Sequence, residues 1–358
     1  VKTKSFLAVF CLFFSLNGLA ATEAQWKAGL TGRSTDDRFS SSKTASAFGI
    51  LKVDHSLSDS LQAFFLGGFS LETGSSSALF TNEFEPKSSF FLGEASLAWT
   101  PDPLLLKVGA LDQSHHNSPI LMAGGTFPAI FAGANFDSNG YVLALDAQGA
   151  VLTSRTFSTR ATGKENTPTL ATQKIRAGYE KDDLALFLRA SHFQFRNLTR
   201  GMAQDSRFYG NTVSGVGNAS QFVYQFQGFE FGPELQIPLT PQFQWNFGGS
   251  RVQNSKGPKD NNRGLYGFTE LEFRTKEFSL APKFEWYRNE TDSVPGYFSD
   301  AEFGHNNRRG VGAGVRLEFP QIEIALKARR SKLLQPRTFQ KDRFDFIELS
   351  VELPYAGF

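Results

Sequence analysis

Hydrophobic and polar residues alternate with a period of two along most of this chain. In Gly310 to Phe319, Val311, Ala313, Val315, Leu317 and Phe319 share one side, and Gly312, Gly314, Arg316 and Glu318 share the other. Phe229, Phe231, Leu235 and Ile237 alternate with Glu230, Gly232, Glu234 and Gln236; beyond Thr240-Pro241, Phe243, Trp245 and Phe247 alternate with Gln242, Gln244 and Asn246. Side chains of an extended chain point to opposite faces in turn, so this period predicts strands with one greasy and one wet face. Sixteen segments are expected: 24–33, 45–55, 60–72, 88–100, 103–112, 139–148, 149–158, 170–181, 183–196, 220–239, 241–254, 263–275, 277–289, 308–320, 321–331 and 342–357.

The connections between them alternate in length. Short turns fall at 100–102, 181–182, 240–241, 276 and 320–321, and longer polar loops near 34–44, 73–87, 113–138, 159–169, 197–219, 255–262, 290–307 and 332–341. No linker interrupts the series, so 21–358 reads as one domain. The apolar faces are rich in Phe, Leu and Trp. Aromatic residues gather at the short-turn ends: Trp26, Trp99, Tyr179, Trp245, Phe278, Phe319 and Tyr355. Strands of about ten residues, an even strand number and an aromatic belt describe a closed transmembrane barrel. In hydrocarbon every backbone N–H and C=O needs a partner, and a closed sheet leaves none over. The expected fold is therefore all-β: a transmembrane antiparallel β-barrel of about sixteen strands whose long third loop folds inward.

The N-terminal residues read differently. Lys2 and Lys4 precede an apolar run from Phe6 to Leu16, too short to cross a bilayer as a helix, and Gly18-Leu19-Ala20 offers small residues for cleavage. Residues 1–20 are expected to be a cleaved export signal, with Cys11 removed with it. Composition agrees with an exported barrel: 40% hydrophobic, 20% charged, 38 Phe and 33 Gly among 358 residues, too apolar for a disordered chain and too polar for a helical membrane bundle. A net charge of +2 gives no reason to expect nucleic acid as a partner.

With sixteen strands, a leader, short turns on one side and a long third loop, the chain resembles the Gram-negative outer-membrane porins. The resemblance is one of architecture and covers the whole mature chain. It implies residence in the outer membrane among its lipids, a homotrimer, and a water-filled channel for passive diffusion of small hydrophilic solutes and ions. It also implies a third loop that narrows the channel. Here that loop is 113–138, with the uncharged, apolar centre Met122 to Phe136, and its expected constriction residues are Asp112, His115, His116, Thr126, Phe127, Phe131 and Asp137. Its acids stand only at its edges, which weakens any strong charge selectivity. Small outward residues Ala28, Ala45, Ala47 and Gly49 would let barrels approach one another. A terminal aromatic, Phe358, also fits the family, although the alternation from Ile347 to Tyr355 needs a bulge at Ala356-Gly357 to bring it to the lipid face.

Inward positions fall into blocks of one sign. Lys174, Arg176 and Arg189 stand on strands eight and nine; Glu230, Glu270, Glu272 and Glu285, with Lys283 among them, on strands ten to thirteen; Arg316, Lys327 and Arg329 on strands fourteen and fifteen. These are the expected pore-lining residues, since rings of charge tune ion preference in a wet lumen. A substrate-selective channel for a sugar or amino acid, or a plugged structural or adhesive barrel, would show much the same pattern. Chemistry beyond transport finds no support. His115-His116 lacks a third metal ligand, no nucleophile elbow or phosphate loop occurs, and Ser191 and His192, as strand neighbours, face opposite ways. No enzyme activity, cofactor or metal is expected.

Overall fold

The computed structural model describes residues 22–37, 40–78, 83–152, 165–340 and 342–357. The expected leader and Phe358 lie outside the described residues. Sixteen antiparallel strands form one barrel: β1 Thr22–Asp36, β2 Ser40–Ser58, β3 Leu61–Ala78, β4 Ser89–Trp99, β5 Leu104–Asp112, β6 Thr126–Ser138, β7 Tyr141–Val151, β8 Thr169–Lys181, β9 Leu184–Arg196, β10 Gln227–Pro238, β11 Phe243–Asn254, β12 Arg263–Arg274, β13 Ser279–Asn289, β14 Arg308–Phe319, β15 Ile322–Leu333 and β16 Arg343–Glu352. Each strand pairs with its neighbours in sequence, and β1 pairs with β16 from Gly29↔Glu352 to Asp36↔Asp345, which closes the sheet. One short helix, α1 (Arg200–Phe208), stands in the loop after β9; the Thr199 hydroxyl caps it by accepting from the Met202 N–H at 3.2 Å.

The alternation fixes which side chains meet which medium. On the outer wall Leu30, Leu71, Ile130, Leu188, Val311 and Ile347 are exposed, far too many large apolar groups for a face meant to meet water. Exposed Trp26, Trp99, Tyr141, Trp245 and Tyr355 stand toward the short-turn end. There Phe243, Phe273, Phe278 and Phe319 form a continuous chain of rings across β11 to β14, with centroids 4.8, 5.9 and 6.3 Å apart. This is the aromatic girdle that the sequence placed there.

The order of strands departs from expectation at one place. The segment 113–138 is not a single loop: only 113–125 connects β5 to β6, and Thr126–Ser138 is itself the sixth strand. Tyr141–Val151 is then the seventh strand, and the strand expected at 149–158 is not a separate element: 149–151 end β7, and 153–158 lie outside the described residues. Two physical causes misled the pattern. Strand β6 is apolar on both faces, because Phe127 and Phe131 are buried against the inner loops while Ile130 faces out, so the period of two is muted. In addition, Asn139-Gly140 is a two-residue hairpin turn with φ of 54° and 84°, a conformation that favours Asn and Gly. The loop after β1 is also shorter than expected, because β1 and β2 stay paired from Thr22↔His55 to Asp36↔Ser41.

At the far end, Gly29 pairs with Glu352, but Trp26 pairs with Ala356. The register therefore slips by one residue across Leu353 to Tyr355, just before the site where a bulge was expected. The slip places Ala356 opposite the outward Trp26 and Gly357 opposite Gln25.

Candidate functional site in the barrel lumen

The inner wall carries charges in pairs, most of them between strands. Lys174 on β8 meets Asp146 on β7 at 3.3 Å. Glu234 on β10 accepts from both Arg176 at 3.1 Å and Arg189 at 2.9 Å, and Arg189 also lies 3.5 Å from Glu230. The Arg176 guanidinium stacks 3.3 Å above the Phe187 ring, which orients it along the wall. Further round the wall, on β12 to β14, Arg316 lies 3.9 Å from Glu270 and, within single strands, Arg274 lies 2.7 Å from Glu272 and Lys283 lies 3.1 Å from Glu285. Lys327 lies 3.2 Å from Glu348, which also accepts from Arg33 at 2.9 Å. Each of the eleven expected pore-lining residues thus sits on an inward strand position in an ion pair, so the sign blocks read from the sequence interlock along the wall. The pattern had omitted Glu94, Lys107, Asp146, Arg33 and Glu348. They stand singly or among charges of mixed sign on their strands, so no block of one sign marks them.

The tightest cluster surrounds Arg329 on β15. Its Nε and Nη2 donate to the two oxygens of Glu285 at 2.8 and 3.0 Å, a bidentate pair. Its Nη1 donates to Asp300 at 3.3 Å and to Glu302. Glu285 also accepts from the Tyr266 hydroxyl at 2.8 Å. Asp300 and Glu302 belong to the loop 290–307, so this loop runs inward and its acids meet the wall's cations; Lys327 reaches the same Glu302 at 2.7 Å. Burial, reinforced by Glu302 and Glu285 and opposed by Arg329, pushes the Asp300 carboxyl up to about 6.

Loop 290–307 is held by more than charge. The Phe303 ring stacks on Tyr287 with centroids 4.6 Å apart, and Ser331 donates to the Phe303 carbonyl at 2.6 Å. Asn211, from the loop that carries α1, donates to the carbonyls of Thr291 and Val294 at 2.7 and 3.0 Å, and Asn306 donates to the same two. These amides satisfy backbone groups that burial would otherwise strand. Around them is an apolar core inside the wall. Ile120, Leu121 and Met122 from 113–125, Met202 from α1, Phe226, and Val294, Phe298 and Phe303 pack against inward Leu111, Phe127, Phe131, Phe193 and Phe195. Three loops therefore fold together at the loop end of the lumen, where the sequence had assigned the whole task to one.

The expected constriction residues divide accordingly. Thr126, Phe127, Phe131 and Asp137 are wall residues of β6, not loop residues. Asp112 ends β5 and caps the short turn at Gln113–His115 by accepting from the Ser114 N–H at 2.9 Å. His115 is exposed and 3.7 Å from Asp112, while His116 packs on Phe131 with ring centroids 4.7 Å apart. Burial, with Lys174 and Lys107 nearby, holds the His116 imidazole down at about 4, so it is neutral at pH 7. Ser191 faces in toward Glu230 at 3.4 Å, and His192 faces out against Phe229 and Gln227, so the pair cannot act together. Residues 83–88 also lean inward: Glu83 meets His305 at 2.6 Å, and the Ser42 hydroxyl donates to the Phe84 carbonyl at 2.6 Å.

No protein-family model matches this sequence, and no curated protein matches it. Solved structures do match. OmpF of Salmonella typhi, solved in complex with daunomycin, aligns with a TM-score of 0.50 at 11% identity over 92% of this chain and 97% of that one. OpdK of Pseudomonas aeruginosa, solved with vanillate, aligns with a TM-score of 0.50 at 10% identity over 94% of this chain and 99% of that one. The fold is that of the outer-membrane porins. A BenF-like porin from Pseudomonas fluorescens Pf-5 agrees, with a TM-score of 0.50 at 10% identity over 94% and 99% of the two chains. At such identities the likeness concerns the porin fold alone, and the wall charges are this chain's own.

Proposed function

We propose that this chain is an outer-membrane porin that lets small hydrophilic solutes and ions diffuse down their gradients. The observation that carries the reading is the division of the closed sheet into an apolar outer face and a charged, ion-paired inner face. Such a division stabilises a barrel in lipid only if its interior is wet. The wall residues from Lys174 to Arg329 line the path, and loop 290–307 with 113–125 and α1 narrows it. Because the wall charges are paired, the transverse field is muted and ion preference is weak. The chain acts as a channel, without catalysis, and as a homotrimer. The small residues on β1 and β2 support that assembly: Ala28 lies opposite Gly49, and Ala47 opposite Leu30, on the outer wall.

A substrate-selective variant of this reading has one observation in its favour. Lys107, Lys174, Arg176 and Arg189 gather on β5, β8 and β9, each shared with a wall acid, and a small carboxylate such as an amino acid could engage them in place of that partner. Swelling of liposomes holding the purified protein tests both. A general channel admits neutral sugars and amino acids at rates that fall with size. Faster entry of small carboxylates than of sugars of equal size favours the selective variant, and no swelling with any solute contradicts transport.

A further inference from the structure

On the loop side, above the ends of β8, β9 and β10, a cavity of about 320 Å³ opens between Glu165, the start of the loop that carries α1, and residues 220–226. Buried Phe195 and Phe226 form its base, joined where the Phe195 N–H donates to the Phe226 carbonyl at 2.9 Å. Half-buried Phe222 and Tyr224 and exposed Gln221 and Gln225 rise from it.

The walls are set by the chain's own contacts. Residues 213–214 pair with 221–222, with Val213 opposite Phe222 and Ser214 opposite Gln221. Gln204 of α1 ties this hairpin down, accepting from the Gly217 N–H at 3.0 Å and from the Ser220 hydroxyl at 2.6 Å. The Phe222 ring meets Phe226 edge-on with centroids 5.1 Å apart, and Asn254 donates to the Gln225 carbonyl at 2.9 Å. Glu165 accepts from the Arg200 N–H with both oxygens, at 3.0 and 3.1 Å, and the Asn197 amide donates to the Thr167 carbonyl at 3.3 Å. A pocket held in shape this way loses little freedom when it is filled.

Its chemistry selects the occupant. The charged residues of the lining, Glu165 and Arg200, lie 3.4 Å apart and offset one another, so nothing draws in an ion. Among the described residues the side-chain amides of Gln221 and Gln225 and the Tyr224 hydroxyl make no hydrogen bond, so donors and acceptors both stand ready. A purely apolar ring set on Phe222 would bury these groups unpaired, at a cost. A pyranose would not: its C–H face lies flat on an aromatic ring while the hydroxyls at its edge reach amides and a carboxylate. The volume is at the small end of ligand sites, which run from about 300 to about 1,000 Å³, and admits a mono- or disaccharide. None of the charged wall residues lines the pocket, so it stands beside the diffusion path and not in it.

We propose that this pocket binds a neutral pyranose, presented as the terminal sugar of a glycan outside the cell, the side to which the long loops of such a barrel turn. Phe222 and Tyr224 take the ring face, and Gln221 and Gln225 take its hydroxyls together with the Glu165–Arg200 pair. The inference rests on the pocket and not on the barrel's conducting.

The test is saturation-transfer NMR on the full-length folded protein in a detergent without a sugar headgroup, with methyl β-glucopyranoside, methyl β-galactopyranoside and sorbitol as probes. At least one pyranoside should receive saturation, most strongly at its ring C–H protons; sorbitol, which has the hydroxyls but no ring face, should not. Q221A/Q225A, which changes exposed side chains bonded to nothing in the described protein, should bind about tenfold more weakly, the loss expected when two hydrogen bonds of ordinary strength go. F222A/Y224A should abolish the transfer, and if it does not fold the amide variant alone decides. No transfer to either pyranoside, transfer to sorbitol equal to theirs, or unchanged binding in the folded variants overturns the proposal. Free pyranoside on the loop side of a planar bilayer should leave the single-channel current uninterrupted; interruptions that Q221A/Q225A removes would overturn the glycan end as occupant in favour of a solute in transit. The NMR readout needs no current, so failure here and failure of the transport reading are told apart.

Discussion

At the scale of single residues the lumen is governed by shared counterions. Glu234 serves two arginines at once, so removing it leaves Arg176 without its acid and Arg189 with Glu230 alone. E234Q should shift the reversal potential in a salt gradient toward anion preference, and R176E/R189E should shift it toward cations. No shift in either would mean that these groups only brace the wall. Asp300 acts differently. Its carboxyl is raised from 3.8 to about 6 chiefly by burial, so the docked loop holds a proton more readily than the free loop between those values. Docking of 290–307 therefore gains as pH falls from about 6 toward 4 and loses that gain as pH rises through about 6. Hydrogen exchange of the loop's amides, corrected for the intrinsic pH dependence of exchange, should show greater protection at pH 5 than at pH 7.5, and D300N should remove the difference; an unchanged difference in D300N would assign it to another group.

At the scale of elements, the strands were largely readable because lipid and water impose opposite chemistries on alternate residues. β10 to β15 show this clearly, from Phe229 and Glu230 to Ile324 and Lys327. The exception is β6, where inner loops replace water as the neighbour of Phe127 and Phe131, so both faces become apolar and the period vanishes; Asn139-Gly140 was the remaining signal of its end. The wall pairs were half readable. Inward positions follow from the alternation, but partners such as Asp146 for Lys174 depend on cross-strand register, which the pattern of a single strand does not fix. The inward loop was not readable, since Asp300, Glu302 and Phe303 follow no period and reach Arg329 only through the fold. Replacing Pro295 to Phe303 with a short Gly-Ser linker should raise conductance. Unchanged conductance in a folded variant would free this loop from any part in the constriction.

At the scale of the whole molecule, one closed sheet separates two media. Its apolar outer wall carries an aromatic girdle at the short-turn edge. Its interior joins paired charges below to a packed set of three loops above. The central claim is that the space left between loops and wall is filled with water and continuous from end to end. Single-channel recording of the purified protein in a planar bilayer tests it most directly. Discrete, long-lived, ohmic steps whose size grows with salt concentration are expected; folded barrels that insert and pass no current would contradict it.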